Sequence, residues 1–218
     1  MISLNIRSRD LSEEVAWNDI FSHGSRHFYK RNSIIYHQGS LGDGFYYIFN
    51  GIVKIVLSTS DGNERIVDLT GPGELIGEQA MDHKPYYSTA VANEDTVLYY
   101  YSFVDFKNLM HTYPTLLSLL IDSTIQKARI LSDNVMLDSL RSDQKIALVL
   151  LKLIYKLQKN EICLTQQELA AFTGVTRITV YKIFKNWRNL GIICVENRRI
   201  VVKEPDELKQ QTNIEFVY

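Results

Sequence analysis

The sequence predicts an α+β protein of three parts: an N-terminal β-roll of the jelly-roll kind, a long helix suited to dimerisation, and a C-terminal winged helix-turn-helix. Three observations predict it. Between residues 28 and 102, short β-branched and aromatic runs alternate with glycine-bearing turns. Between 104 and 137, apolar residues recur at helical spacing. Between 165 and 191, two capped helices flank a glycine, and two apolar runs around a basic turn follow. The parts divide as residues 1–103, 104–138 and 139–218.

Residues 11–25 read as a short helical lead-in. Strands are expected over 33–36, 45–49, 52–57, 65–69, 88–92 and 96–101, with Gly39, Gly42, Asp43 and Gly44 forming a turn cluster and Gly71-Pro72-Gly73 a further break before Leu75-Ile76-Gly77-Glu78. Asn50-Gly51 and Asp61-Gly62 each predict a hairpin turn, because both dipeptides tolerate positive φ. Many short strands at regular intervals close into a roll.

A roll of this kind could be a cupin-type enzyme, but its metal ligands would have to converge. His23, His27, His37, His83 and His111 are scattered, and no His-x-His with a following Glu occurs. No nucleophile–base pair suggests itself, so the roll reads as a ligand-binding module, with an enzyme tethered to DNA as the weaker alternative. Cys163 and Cys194 stand singly, which gives no metal site or disulfide framework and suits a reducing compartment. The N-terminus lacks a signal-peptide core, and no apolar run is long enough to cross a bilayer, so a cytoplasmic protein is expected.

In the helical segment, Leu117, Ile121, Thr124, Ala128, Leu131 and Val135 follow a heptad seam with small residues at its centre. Packing on its own domain would explain such a stripe equally well. Its place between a roll and a DNA-binding domain favours self-pairing, since helix-turn-helix proteins commonly read two half-sites as dimers. Residues 139–143 break the pattern and form the expected hinge, and 146–157 the next helix.

Thr165 and Glu168 form a capping box, Gly174 supplies the turn, and Thr176 caps a second helix ended by Gly191. Its inner face is Val180, Ile183, Phe184 and Trp187 with either Ile178 or Thr179; Arg177, Lys182, Lys185 and Arg188 fall on the other. Formal net charge is −1, so nucleic-acid binding must come from this local patch. Two β-branched runs then enclose a polar turn with Arg198 and Arg199 at its tip, which makes a basic wing.

With roll, long helix and winged helix-turn-helix in this order, the chain resembles the Crp/Fnr family of bacterial transcription regulators. The segment I-I-Y-H-Q-G-S-L-G-D-G-F-Y-Y-I-F-N-G is similar to that family's roll signature, and G-P-G-E-L-I-G-E-Q-A to the lead into its ligand cassette. The resemblance covers nearly the full length and implies a cyclic-nucleotide-binding-like roll. A small molecule bound between roll and long helix would then set the two reading helices on a palindromic operator, with RNA polymerase as partner if the protein activates.

Cyclic-nucleotide-binding members follow Gly-Glu with Arg-Ser, the Arg pairing with the phosphate. Here Gly77-Glu78 stands, but the later stretch reads Tyr86-Tyr87-Ser88-Thr89-Ala90. A buried phosphate without a guanidinium is costly, which argues against cyclic AMP. Two phenols and two hydroxyls suit a small aromatic or organic acid, with Lys127 and Leu131 on the long helix beside it and Lys127 as anion partner. Roll core or exposed loop would also accommodate Tyr86 and Tyr87, and Lys127 could equally be a plain surface lysine. The cassette is similar to that of a subgroup sensing chlorinated phenolic acids. No cofactor is indicated: an iron–sulfur sensor would need an N-terminal cysteine cluster. A haem sensor, with His83 as ligand, stays open as the alternative.

On DNA, Arg177 matches the family position that pairs with guanine or clamps phosphate, and Lys182 the third reading position. Ile178 replaces the usual Glu, and an apolar side chain meets a thymine methyl rather than a cytosine amine, so A·T-rich half-sites are expected. Thr176 and Thr179 stand among the reading residues, and Lys185, Arg188, Arg198 and Arg199 are expected at phosphates.

Overall fold

The structure, a computed structural model, describes residues 20–196 and 199–212. Most of the expected lead-in helix lies outside the described residues; residues 20–22 are helical, and β1 (Ser25–Tyr29) follows. Seven more strands complete the roll: β2 (Ile34–Tyr36), β3 (Gly44–Asn50), β4 (Val53–Ser58), β5 (Glu64–Thr70), β6 (Leu75–Ile76), β7 (Thr89–Ala92) and β8 (Thr96–Ser102). They form two four-stranded antiparallel sheets, ordered β1-β8-β3-β6 and β2-β7-β4-β5. Alternation sorts the faces: Phe45 and Tyr47 from one sheet, Val53 and Ile55 from the other, meet in the roll interior.

Asp61-Gly62 does close a hairpin, between β4 and β5, with Gly62 N–H donating to Thr59 O at 3.0 Å. Asn50-Gly51 does not. The strands on either side of it belong to different sheets, so this turn carries the chain round a corner of the roll. The dipeptide specifies a local reversal, with Gly51 at φ 94°; which sheet receives the next strand is decided by packing.

Gly42 has a different duty. A Cβ there would collide with the Tyr86 ring, which fills the adjacent interior. Gly42→Ala should therefore lower unfolding free energy by about 1–3 kcal/mol through overpacking, read from urea denaturation.

The expected single helix over 104–138 is two. α1 (Phe103–Thr112) ends at Tyr113, and α2 (Thr115–Asp138) begins after Pro114. Proline disfavours helical geometry at the residue before it, and Tyr113 sits accordingly at φ −123°, ψ 83°. A short turn over 139–141 leads to α3 (Ser142–Leu157), then β9 (Glu161–Ile162), α4 (Gln166–Thr173), α5 (Arg177–Asn189), β10 (Ile193–Glu196), β11 (Arg199–Val202) and α6 (Pro205–Thr212). The wing gains β9 as a third strand, in the order β10-β11-β9. Neither β9 nor α6 was evident from the sequence pattern.

The second core is built from α3, α4 and α5 around Ile146, Leu150, Phe184 and Trp187, and it is shared. Ile52, Val56, Ile66 and Leu69 of the roll belong to the same buried cluster. The helix-turn-helix head thus rests on the outer face of the β4–β5 hairpin. Among the described residues, no helix is long and apolar enough to cross a membrane.

Candidate nucleic-acid interface and effector site

The helix-turn-helix forms as its caps dictate. Thr165 Oγ1 accepts from Glu168 N–H at 3.2 Å, and Thr165 N–H donates to Glu168 Oε2 at 2.9 Å. Gly174 ends α4 at φ 68°, and Thr176 Oγ1 accepts from Thr179 N–H at 3.2 Å. The hydroxyls of Thr176 and Thr179 also lie 2.9 Å apart, so Thr179 helps hold the Thr176 cap in place. Val180, Phe184 and Trp187 seat that helix, with Thr179 half-buried, while Ile178 is 68% exposed. Of the two alternatives for the inner face, Thr179 takes it and Ile178 points out.

Arg177, Lys182, Lys185 and Arg188 are all exposed, and none forms an ion pair among the described residues. α5 carries no Asp or Glu, so its outer face is an uncompensated cation stripe, the footprint a polyanion needs. An open hollow of about 340 Å³ beside it is lined by Gln166, Tyr181, Phe184, Lys185, Arg188 and Asn189. Tyr181 and Gln166 were not singled out from the sequence; the available signal was an aromatic one turn after Arg177 and Ile178, and the structure leaves it 56% exposed. In the wing, Arg198 lies outside the described residues. Arg199 is not a free cation: its guanidinium pairs with Glu161, which raises its pKa. β9 brings that carboxylate alongside.

On the sensor side, Glu78 opens a short 3-10 turn (Glu78–Asp82) behind Gly77, which adopts φ 88°. The carboxylate is buried and faces α2. Ser123 Oγ donates to Glu78 Oε1 at 2.6 Å, and Lys127 Nζ pairs with the same oxygen. Lys127 also donates to Leu75 O at 3.2 Å and lies 3.3 Å from Ser123 Oγ. The expectation of Lys127 as an open anion partner is corrected here: its ammonium already has three acceptors. Burial pulls its pKa down to about 8.

The cassette divides. Tyr86 is a roll-core residue, its ring stacked on Tyr36 at 4.1 Å between centroids and its hydroxyl donating to Gly44 O at 2.7 Å. Burial pushes both phenols up to about 12. Tyr87 is 53% exposed, so the two rings do not form one binding face. Both precede the strand that begins at Thr89; Tyr86 N–H donates to Ser40 O at 3.0 Å, which turns its ring into the roll and leaves Tyr87 outside. Ser88 is buried, and Thr89 Oγ1 accepts from Gln38 N–H at 3.0 Å.

α2 presents two stripes. Leu116, Leu120, Ser123, Lys127 and Ile130 turn inward, buried or half-buried. Leu117, Ile121, Thr124, Ala128, Leu131 and Val135 are all exposed, Val135 at 75%. Leu131, one turn beyond Lys127, therefore lies on the outer stripe and is 67% exposed, so within its own protomer it does not line the roll as expected for an effector contact.

A β-roll against a helix, joined to a helix-turn-helix with a bare cationic face, defines a ligand-responsive DNA-binding regulator. Residues 26–113 match the cyclic nucleotide-binding domain and residues 144–211 the Crp-like helix-turn-helix domain. The Cyclic AMP receptor protein of Thermus thermophilus is 28% identical over 193 residues, 87% of this chain and 88% of its own. The structure of FixK2 from Bradyrhizobium japonicum superposes with a TM-score of 0.77 at 18% identity, covering 88% of this chain and 99% of that one. OCPA-complexed CprK gives a TM-score of 0.64 at 19% identity over 88% and 91%. The chain belongs to the Crp/Fnr family of transcription regulators and is not an enzyme.

Proposed function

We propose that the protein acts in the cytoplasm as a homodimer joined along the outer stripe of α2. It reads a palindromic operator with A·T-rich half-sites, under control of a small organic effector other than cyclic AMP. The observation that carries this reading is the double face of α2. One stripe touches the sensor through Glu78 and Lys127, and the other, one residue away, is apolar and uncovered. A ligand at the roll would thereby bear directly on the dimer seam. Ser88 and its neighbours offer no guanidinium to a cyclic phosphate, and Lys127 is already held by Glu78. Aromatic and organic acids are the first class to try, and such an acid would have to draw Lys127 away from Glu78. Where the protein activates transcription, RNA polymerase is its further partner.

The test is a thermal-shift panel of cyclic AMP, cyclic GMP, phenolic acids and heteroaromatic acids, each run with an operator mobility shift. A ligand at a hundred times its dissociation constant should add about 2.7 kcal/mol to stability. We expect a response to aromatic acids that also changes operator affinity. Stabilisation by cyclic AMP alone would refute the effector assignment, and a monomer in solution would refute the dimeric reading.

A further inference from the structure

Lys54 stands where an apolar side chain would be expected. It lies on β4 between Ile52 and Val56, opposite Leu69 of β5, and those three residues belong to the core shared with the helix-turn-helix head. Its side chain is 14% exposed, and its ammonium lies 2.6 Å from Glu168 Oε1 on α4, whose side chain is 23% exposed. Glu168 therefore divides its carboxylate. Oε2 accepts from Thr165 N–H and caps α4, while Oε1 takes the lysine of the roll. Further contacts fix the same joint. Lys156 of α3 reaches Asp68 at 2.8 Å and Glu74 at 3.3 Å, and Asn93 Nδ2 donates to Cys163 O at 2.9 Å.

A largely buried ion pair inside an apolar contact adds little adhesion, because desolvating both charges offsets their attraction; a hydrophobic pair would hold as well or better. What it adds is geometry: the charges are satisfied in one relative placement, and sliding the head leaves both unpaired. The DNA-facing side chains of α5 stay exposed in this docked arrangement, so docking leaves the reading face free.

We propose that Lys54 is a positioning residue for DNA recognition: through Glu168 it sets the angle of each helix-turn-helix head on its own roll, and hence the half-site spacing the dimer accepts. The proposal rests on the dimeric reading above.

The test uses full-length protein and an operator selected with it, rebuilt with half-sites one base pair closer or farther apart. Lys54→Met keeps the aliphatic stem and removes the charge. We expect unchanged affinity for a single half-site, about fivefold or greater loss on the palindrome, and weaker discrimination among spacings. Lys54→Arg, which can still pair with Glu168, should restore both. Wild-type discrimination in Lys54→Met would overturn the proposal, as would a Lys54→Arg variant as impaired as Lys54→Met. A wild-type protein indifferent to spacing would overturn the dimeric reading and this proposal with it.

Discussion

Ala128→Glu should leave a folded protomer that no longer binds its operator. Ala128 is exposed at the centre of the outer stripe of α2, so the substitution costs the isolated chain little. In a two-fold dimer, the two new carboxylates would face each other across an apolar seam, each losing several kcal/mol of solvation without a partner. The dimer should dissociate, and operator affinity should fall by about a hundredfold or more, because each protomer then holds one half-site. Light scattering gives the mass and circular dichroism the fold. A dimeric mass retained by the variant would move the seam elsewhere.

Arg177→Ala should be the most damaging change on the reading face that leaves the dimer intact. A bidentate guanidinium–guanine pair is worth about 1–3 kcal/mol, and the loss should depend on the base at one operator position. Lys185→Ala should behave differently, weakening all sequences alike and lowering the slope of log affinity against log salt by about one. Ile178→Glu offers the complementary gain. A carboxylate at this exposed site can accept from a cytosine amine, so half-site preference should shift from A·T towards G·C. Selection of operators from a randomised pool would show the Arg177→Ala and Ile178→Glu effects, and a salt titration of operator affinity the Lys185→Ala effect; an unchanged consensus for Ile178→Glu would place that residue off the bases.

Local chemistry made the helix-turn-helix legible before any fold was known. Thr165, Glu168, Gly174 and Thr176 act within a few residues of themselves, and the structure shows each in the duty its type implied. The strands of the roll were legible for the same reason. What escaped was decided over distance. Glu78 and Lys127 meet across 49 positions, and Lys54 and Glu168 across 114, spans over which no periodicity carries information. Tyr86 stayed open between ligand contact and roll core because its stacking partner, Tyr36, lies far off in the chain, on β2. Pro114 was a different kind of miss. Apolar spacing continues on both sides of it, but the proline holds Tyr113 out of helical geometry and splits the helix in two.

The two stripes of α2 have a consequence for how this protein can change over time. Each seam residue from Leu117 to Leu131 directly follows an inward one: Leu117 after Leu116, Ile121 after Leu120, Thr124 after Ser123, Ala128 after Lys127, Leu131 after Ile130. One residue turns a helix by about 100°. A single insertion early in α2 would therefore turn the inward stripe out towards the partner, and a single deletion would turn the seam in against the roll; either would replace Lys127 at Glu78 with a neighbour. Apolar and small side chains can exchange for one another along the seam, but the length of this helix cannot change. Lineages descended from this chain should vary in the letters of α2 while keeping their number.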